Sequence, residues 1–353
     1  MERKNIAFCL RMDYDAFPGG DTIQMETWRT VLRRLGHEVN ILKSPVDPAA
    51  LERADMVFIW HLERMDETFP LWRMAKERDL PVVLVPTYWH RGKRFPGFSL
   101  FKHAELVLRL AYNGFRNPWL AFRPWSSCRR QLLDASSSFI VNSEAERDLL
   151  VSEGANAAKV TIIPNVIDSA FFTAETPMRW EERSGVVCVG HFCPRKNQLG
   201  LIRALRGTDF SVTFIGGSRP MHRRYMRRCI AEAEGRHRFL GRISHAETIN
   251  ILKKSRFSIS ASFAETPGIS NLEAAAAGCG LIVPDLRTIR EYFTGELVSY
   301  IAPGRIDMAA VRRAMTAVPK PELREHVLGR YTDLNLPSYW EKFMSRGILP
   351  CGS

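Results

Sequence analysis

The sequence predicts an α/β protein made of two consecutive doubly wound domains. Short apolar segments with the length of buried strands alternate with longer segments that read as helices, which is typical of parallel sheets with helices on both faces. The pattern stops at a polar stretch, residues 173–184, and then starts again. A length of 353 residues also suits about two domains. We therefore predict one domain over residues 1–172 and another over residues 185–325, joined by that stretch as a linker.

The first domain is predicted to open with a buried strand at residues 6–10. A loop containing Gly19 and Gly20 follows, and a helix at residues 22–35 ends at Gly36, a common residue at helix C-termini. The later elements are predicted as strands at residues 38–42, 55–60, 81–85, 138–141 and 160–163 and helices at 69–78, 98–133 and 144–153. Their alternation predicts a parallel sheet.

The second domain repeats this alternation. Strands are predicted at residues 186–189, 211–215, 238–240, 257–260 and 281–283, and helices at 197–205, 221–234, 246–254 and 269–277. Ligands of such sheets bind beyond the carboxyl ends of the strands, and with two facing domains the natural site is the cleft between them.

Composition excludes several classes of protein. Hydrophobic residues make up 45% of the chain and charged residues 25%, and 20 Phe and 8 Trp can form a core, so the chain is not intrinsically disordered. The longest uncharged run of small or apolar residues, 274–283, is about half as long as a membrane-spanning helix. The N-terminus lacks a signal-peptide core, so we expect a cytoplasmic protein. Seven scattered cysteines without a Cys-x-x-Cys pair predict reduced thiols and no zinc site.

The net charge predicts an anionic partner. The chain carries +12 at neutral pH, which attracts nucleic acid, an acidic membrane face or a phosphorylated ligand. Charge alone does not choose among these three. Arginine pairs such as Arg223–Arg224, taken singly, are typical of solvated helix faces.

The stretch from residue 262 to residue 285 carries the most chemical information. Glu265 and Glu273 stand eight positions apart, and a loop with Gly268 and Ile269 leads into a helix between them. The free N–H groups and positive dipole end of a helix start suit a phosphate, and Gly268 lets a ligand come close to the backbone. The two carboxylates could then contact different ends of one ligand. The alternative is an ordinary helix with a glutamate near its start.

This stretch resembles the signature of the family 4 retaining glycosyltransferases, which have the GT-B fold. Their pattern is a glutamate, seven residues, a second glutamate, an Ala-rich helix, a glycine and a short apolar strand. Other segments resemble family motifs in the same order: GGDTIQ at residues 19–24, VNSEAERDLL at 141–150, VTIIPNVID at 160–168, PRKNQLGLIRAL at 194–205, FIGG at 214–217, FLGRIS at 239–244 and RTIREYF at 287–293. The resemblance covers most of the chain and implies two Rossmann-like domains that face each other across a cleft.

The resemblance implies roles for four charged residues. Lys196, with Arg195 beside it, would hold the donor's diphosphate and stabilise the charge that grows on the leaving phosphate. Glu265 would contact the hydroxyls of the transferred sugar. Glu273 would accept hydrogen bonds from the ribose hydroxyls.

The resemblance also assigns roles to loops. The backbone at Gly268 and Ile269 would bind a phosphate oxygen, while Gly19 and Gly20 would permit close approach of donor and acceptor. The base would stack near Gly241 and Arg242, in the segment that continues to Ile243.

Two positions depart from the family pattern. His191 stands where many relatives have an arginine as the first cation of the donor site, and Arg195 could substitute for it. Many relatives also carry a histidine after the third or fourth strand of the first domain. His90 is the candidate for this catalytic position, and His61 is the other, although neither aligns firmly and a structural histidine is the more common case at a strand end.

The resemblance implies a reaction without a protein nucleophile. In the usual account of this family, the leaving phosphate accepts the acceptor's proton on the same face of the sugar, so neither a carboxylate nucleophile nor a Ser–His–Asp set is required. Asp13 and Asp15 form an Asp-x-Asp pair, the metal motif of a different glycosyltransferase fold, but they fall in the first loop. We expect no metal and no cofactor, only a nucleotide-diphosphate sugar as co-substrate.

The leading hypothesis is a retaining glycosyltransferase. A lipid-linked or polysaccharide precursor at the inner membrane face is the preferred acceptor, because a basic, Trp-containing segment at residues 95–130 suits an anionic membrane. Nucleic acid with a modified base and a small soluble molecule stay open as acceptors. Nucleotide-sugar epimerases and glycan phosphorylases share the architecture, and a non-catalytic basic binding protein on this scaffold is a further alternative.

The C-terminal segment, residues 326–353, is expected to return to the first domain. Tyr339, Trp340 and Phe343 give residues 337–349 the pattern of an amphipathic helix. In GT-B folds the last helix crosses back, so the resemblance implies that this helix packs on the first domain.

Overall fold

The computed structural model describes residues 2–87, 125–173, 178–318 and 320–347. It divides into two compact units, one formed by Met1–Pro164 with Asn335–Ser353 and the other by Asn165–Leu334. The sequence-based boundaries differ from this division, because residues 165–172 and 326–334 both belong to the second unit. Backbone hydrogen bonds explain the difference: the Ile167 N–H donates to the Tyr331 carbonyl, and the Asp333 N–H donates to the Ile167 carbonyl.

Six parallel strands form the sheet of the first unit. They are β1 (Asn5–Leu10), β2 (Glu38–Lys43), β3 (Met56–Trp60), β4 (Val82–Val85), β5 (Ser138–Val141) and β6 (Val160–Ile162). Their order across the sheet is β2-β1-β3-β4-β5-β6. Strands β3, β4 and β5 are buried along their whole length, as expected for a parallel sheet covered on both faces.

Six parallel strands also form the sheet of the second unit. They are β7 (Val186–Val189), β8 (Val212–Ile215), β9 (Arg238–Phe239), β10 (Phe257–Ile259), β11 (Gly280–Pro284) and β12 (Ser299–Ile301). The order β12-β11-β10-β7-β8-β9 is that of a doubly wound dinucleotide-binding sheet, with its topological switch between β7 and β10. The predicted α/β class with two doubly wound domains is therefore confirmed.

The helices of the described residues alternate with these strands. They are α1 (Gly20–Arg34), α2 (Met65–Lys76), α3 (Trp125–Ala135), α4 (Glu144–Ser152), α5 (Ala170–Thr173), α6 (Gln198–Ala204), α7 (Arg223–Ala233), α8 (His245–Lys254), α9 (Ile269–Ala276), α10 (Arg287–Arg290), α11 (Met308–Thr316), α12 (Glu322–Arg330) and α13 (Leu336–Met344).

Several elements differ from the sequence-based prediction. Helix α2 begins four residues before the predicted start, because the acidic Asp66 and Glu67 complete its first turn and Pro70 is accommodated inside it. Helices α11 and α12 were not predicted. Strand β12 was not predicted either, because it has three residues and only one of them is buried. The predicted linker is partly structured: Trp180–Glu182 form a 3₁₀ turn and Arg183 is buried. Most of the helix predicted at residues 98–133 lies outside the described residues.

Helix α13 packs into the first unit. Trp340 and Phe343 are fully buried, and the Trp340 ring meets Trp28 of α1 edge-to-face at 5.0 Å. Phe58 of β3 lies 6.0 Å from Trp340 and 6.3 Å from Phe343. The segment that follows the second unit in sequence therefore supplies core side chains to the first.

Among the helices within the described ranges, none combines the length and the apolar character that crossing a bilayer requires.

Candidate active site

The switch point of the second sheet gathers most of the predicted site. Strand β7 ends at Val189 and continues into Gly190 and His191, while β10 ends at Ile259 and continues toward Glu265. These neighbouring parallel strands release their loops at the same edge, where doubly wound sheets bind ligands. The Phe263 N–H donates to the Arg195 carbonyl at 2.9 Å and joins the two loops.

Glu265 forms a buried ion-pair cluster with two cations from the loop after β7. The Lys196 ammonium donates to Glu265 Oε1, and Arg195 Nη1 lies 3.4 Å from Oε2. Only 5% of the Glu265 side chain is exposed, against 16% for Lys196 and 22% for Arg195. Arg195 Nη1 also donates to the Ala264 carbonyl at 2.6 Å, and Ser262 Oγ donates to Glu265 Oε1 at 2.7 Å. The cluster thus joins residues separated by some seventy positions, and its two cations remain partly exposed.

The surroundings keep Glu265 ionised. Burial by itself would raise the pKa of this carboxyl, but the nearby charges of Lys196 and Arg195, with hydrogen bonds from Lys196 and Ser262, lower it below the ordinary value of 4.5. At neutral pH the group is therefore a hydrogen-bond acceptor and a poor proton carrier.

The loop between the two glutamates requires a glycine. Gly268 has φ +75°, and a Cβ there would lie 3.1 Å from Asn271 Nδ2 and 3.5 Å from Glu265 Oε2. The Asn271 amide donates to the Pro267 carbonyl at 2.8 Å and holds the loop against the helix. Helix α9 begins at Ile269, so its first N–H groups lie beside the Glu265 cluster.

Glu273, one turn inside α9, is bound by a histidine that the sequence analysis did not select. His245 Nε2 donates to Glu273 Oε1 at 2.6 Å, and Glu273 is 4% exposed. This hydrogen bond raises the pKa of His245 above its ordinary value against the opposing effect of burial. Phe171 packs edge-to-face on the imidazole with 4.7 Å between ring centroids. The only sequence signal is that His245 follows Ser244, which caps α8 in a capping box with Glu247.

Two side chains hold the end of α9 opposite the site. Arg183 Nη1 donates to the Ala277 carbonyl at 2.8 Å, and Arg324 Nε donates to the Ala276 carbonyl at 3.0 Å. Guanidinium groups at a helix C-terminus satisfy free carbonyls and complement the dipole. They therefore fix the helix that carries Glu273.

Glycines follow three adjacent strands at the same edge. Gly190 follows β7, Gly216 follows β8 and Gly241 comes shortly after β9. The Gly216 N–H donates to the Gly241 carbonyl at 2.8 Å, and a Cβ on Gly216 would lie 2.2 Å from the Gly190 carbonyl oxygen. A Cβ on Gly190 would touch Lys196 Cε at 3.4 Å. Arg242 is exposed beside this edge, next to Gly217.

His191 is half-buried, and its carbonyl accepts a hydrogen bond from Gln198 Nε2 at 2.9 Å. Its backbone thus anchors the start of α6. Lys196 ends a 3₁₀ turn, Pro194–Lys196, and Asn197 follows with φ +54°. This left-handed residue turns the chain from the loop with the cations into α6.

Gly19 and Gly20 lie in the first unit, where α1 begins. Gly19 is the N-cap of α1, and its N–H donates to Thr22 Oγ1 at 3.1 Å. The preceding loop is held by Arg11, which is 4% exposed. Its guanidinium donates to Asp21 Oδ2 and Asp13 Oδ1, both at 2.7 Å, and to the Phe17 carbonyl at 2.6 Å. The glycine loop is therefore ordered by a charged network within its own unit.

Asp13 of the Asp-x-Asp pair contributes to the same network, whereas Asp15 forms an exposed ion pair with Lys43. Arg64 Nη1 donates to Asp13 Oδ1 at 2.9 Å and to Glu67 Oε1 at 2.8 Å. Glu67 Oε2 accepts the Met12 N–H at 2.7 Å. In the described part of the chain no cluster of His, Cys, Asp and Glu has the makings of a metal site.

His61 uses both ring nitrogens inside the first unit. Its Nε2 donates to Asp21 Oδ2 at 3.0 Å, and its Nδ1 accepts from Thr87 Oγ1 at 2.8 Å. Burial lowers the pKa of His61, while the His61 hydrogen bond and Arg11 together overcome burial and lower the pKa of Asp21. His61 is thus a neutral histidine that holds Asp21 and the strand-end Thr87. His90, the other candidate, lies outside the described residues.

Two family models match consecutive halves of the chain. The model described as glycosyl transferases group 1 matches residues 178–332, and the model described as Glycosyltransferase Family 4 matches residues 18–171. One curated relative, a phosphatidylinositol N-acetylglucosaminyltransferase component from Arabidopsis thaliana, is 25% identical over 196 residues. That match covers 53% of this chain, and the chain spans only 43% of the length of this relative.

Solved glycosyltransferase structures have the same fold. The sucrose-phosphate synthase of Thermosynechococcus elongatus superposes with a TM-score of 0.72 at 15% identity, over 98% of this chain and 100% of that one. The Anabaena protein HepE in complex with UDP-glucose superposes with a TM-score of 0.71 at 13% identity, over 98% and 100%. A lipopolysaccharide outer core galactosyltransferase, WaaB, gives 0.61 at 14% identity, over 97% and 100%. With both halves matched by family models, the chain belongs to the family 4-like glycosyltransferases with the GT-B fold.

Proposed function

We propose that this enzyme transfers a sugar from a nucleoside-diphosphate donor to a lipid-linked or polysaccharide precursor with retention of the anomeric configuration. The observation that carries the donor half is the buried Glu265 held by Lys196 and Arg195 beside the start of α9. A diphosphate requires cations and free backbone N–H groups, and both are present at this edge of the second sheet.

The two cations have a defined task in this proposal. Lys196 and Arg195 neutralise Glu265 and remain partly exposed, so each can also contact a phosphate oxygen. As the bond to the sugar breaks, negative charge grows on the leaving phosphate and these cations stabilise it. The Ile269 N–H adds a donor from the helix start, whereas the Gly268 N–H already donates to the Thr266 carbonyl. His191 lies in the same loop as the two cations.

Glu265 is assigned to the hydroxyls of the transferred sugar. Its lowered pKa makes it a persistent acceptor, which suits sugar hydroxyls and not proton transfer. This agrees with a retaining route in which the leaving phosphate accepts the acceptor's proton. By resemblance to the family, Glu273 is assigned to the ribose hydroxyls of the donor. The glycines that follow the strands, together with Arg242, are assigned to the base.

The acceptor half rests on composition and on relatives. The net charge of +12 suits an anionic precursor or membrane face. One relative is named for N-acetylglucosaminyl transfer in phosphatidylinositol chemistry and another for transfer to the lipopolysaccharide outer core. We propose accordingly a cytoplasmic protein with peripheral contact at the inner membrane face, acting without metal or cofactor.

The donor site is tested by thermal unfolding with UDP, GDP, ADP, TDP and CMP, each with and without Mg²⁺. A ligand that binds only the folded protein raises the melting temperature. At a ligand concentration of a hundred times its dissociation constant, it stabilises the folded state by about 2.7 kcal/mol. We expect a metal-independent shift with one diphosphate. Absence of a shift with all five would contradict the proposed donor site.

Catalysis is tested with Glu265→Gln, with the exposed Glu296→Gln as the matched control. We expect E265Q to lose sugar transfer by about two orders of magnitude or more, because a lost charged acceptor in a buried site costs about 3 kcal/mol of transition-state binding. The diphosphate shift should persist, since both cations remain. E296Q should behave like the parent. Undiminished turnover in E265Q would contradict the role of Glu265, and a diphosphate shift without turnover on any sugar nucleotide would favour the binding-protein alternative.

A further inference from the structure

Half of the protein's net charge comes from one segment of the second unit. Residues 203–238 hold nine arginines and three carboxylates, without lysine, in a chain whose total is +12. This concentration is independent of the candidate active site, whose cations are Lys196 and Arg195. It therefore needs a separate explanation.

The arginines of this segment form one continuous surface on α6 and α7, called here the arginine patch. Its members are exposed side chains of these helices and the turn after α6: Arg203, Arg206, Arg223, Arg224, Arg227 and Arg228. The Glu232 carboxylate joins the two helices, accepting from Arg203 at 2.6 Å, Arg228 at 2.9 Å and Arg206 at 3.1 Å. Three arginines converge on one acidic group, so even the paired part of the surface keeps a positive charge.

The remaining arginines carry uncompensated charge. Arg223 and Arg227 are four positions apart on one row of α7, and Arg224 occupies the neighbouring row, all exposed. Within the described residues the structure gives these three no ion-pair partner. The opposite side of α7, with Cys229 and Ala233, is buried against the sheet.

Two exposed apolar side chains accompany the charge. Ile230 continues the row of Arg223 and Arg227 and is 44% exposed, and Met221 in the preceding turn is 42% exposed. In the same segment of the described chain, no aromatic ring is exposed for base stacking: Phe214 is buried, and Phe210 and Tyr225 are half-buried. Exposed cations with exposed aliphatic groups suit a lipid interface, whereas single-stranded nucleic acid is bound through aromatic stacking.

We propose that the arginine patch docks the enzyme on an anionic phospholipid bilayer. The guanidinium groups would contact lipid phosphates bidentately, and Ile230 and Met221 would enter the boundary between headgroups and acyl chains. The inference rests on the proposed function and deepens it, because it assigns the proposed membrane contact to one face of the second unit.

The test is co-sedimentation of the full chain with vesicles of phosphatidylcholine alone or with about 30% phosphatidylglycerol. We expect binding only to the anionic vesicles and its loss at about 0.5 M NaCl. The variant R223Q/R224Q/R227Q should bind about 100-fold more weakly, since each arginine near an anionic surface is worth about a factor of five. The control R53Q/R313Q/R330Q removes the same charge from exposed positions outside the patch and should bind like the parent.

Several outcomes would overturn the proposal. Equal loss in both triple variants would mean that total charge alone drives binding, and absence of vesicle binding by the parent would remove the docking surface. Tighter binding of a DNA or RNA oligonucleotide, lost in the patch variant, would assign the patch to nucleic acid. The thermal shift with a nucleoside diphosphate should be unchanged in the patch variant, so a failure of docking is distinguishable from a failure of the donor site.

Discussion

At the scale of single residues, the candidate site depends on carboxylates that other side chains hold in place. Glu265 is fixed by Lys196, Arg195 and Ser262, and Glu273 by His245. Buried ion pairs contribute little net stability, because desolvation offsets their attraction, but they impose a defined geometry. Under the proposed function, this arrangement would orient a ligand more than it would stabilise the fold.

The contact between His245 and Glu273 predicts a pH-dependent stability. The folded-state pKa of His245 is raised above 6.5, so the stabilisation is complete below that value and is lost as pH rises through the raised folded-state pKa. We expect His245→Gln to cost up to about 1 kcal/mol at low pH, since the exposed third of the side chain allows solvent screening, and little in alkaline solution. Thermal unfolding of parent and variant from about pH 5.5 to 9 measures the difference.

A double-mutant cycle provides the control for this prediction. Glu273→Gln should show a similar pH-dependent loss relative to the parent, and combining it with His245→Gln should add little, because either change removes the same contact. A loss that stays constant across the pH range would mean that His245 contributes through packing on Phe171 and not through its charge.

At the scale of elements, the loops after β7, β8 and β9 pack backbone against backbone. Gly216 has φ +141° and faces the Gly190 carbonyl at a distance that leaves no room for a side chain. Gly190 in turn lies against Lys196. The position of Lys196, one of the two cations proposed to bind the diphosphate, is thus linked to a glycine that follows the neighbouring strand.

The substitution Gly216→Ala should destabilise the second unit strongly. A Cβ at 2.2 Å from the Gly190 oxygen forces the backbone after β7 to move, and we expect a loss of about 3 kcal/mol or more together with a weaker diphosphate shift. Gly235→Ala is the matched control: it also has positive φ, at +74°, but nothing lies within 4 Å of the added atom. It should cost about 1 kcal/mol. Urea unfolding measures both, and similar losses would show that strain at positive φ, not the close approach, dominates.

At the scale of the whole molecule, the chain ends in the unit in which it begins. Helix α13 follows the second unit in sequence, yet Trp340 and Phe343 pack on Trp28 and Phe58 of the first. The sequence-based expectation placed the last helix there by resemblance to the GT-B fold. The aromatic contacts give the physical basis for it.

The substitution Trp340→Ala should therefore lower the stability of the first unit. Removing a fully buried indole costs about 3–5 kcal/mol. Lys342→Ala, on the exposed side of the same helix, should change little. With two units, unfolding need not be two-state, so hydrogen exchange should be followed separately in each. Accelerated exchange confined to the second unit would contradict this prediction.

Much of the fold could be predicted because its signals are local. Buried strands such as residues 138–141 and 186–189 are short, continuous apolar runs, and the structure reproduces these two to the residue. Strand β12, with a single buried residue, carries no such signal and was missed. The structure places the domain boundary at Asn165, earlier than the sequence-based boundary. Hydrogen bonds from the Ile167 N–H to Tyr331 and from the Ser169 N–H to Asp333 tie this segment to the second unit, and these partners are distant in sequence.

Neighbouring positions along the chain were enough to predict the fold class and the family, because apolar periodicity and motif order are local properties. The pairing of distant side chains came from the folded structure alone: His245 with Glu273, His61 with Asp21, and Trp340 with Trp28. The physical reason is that these partners are 28, 40 and more than 300 positions apart. Such contacts form only when parallel strands release their loops at one edge and the chain returns to its starting unit.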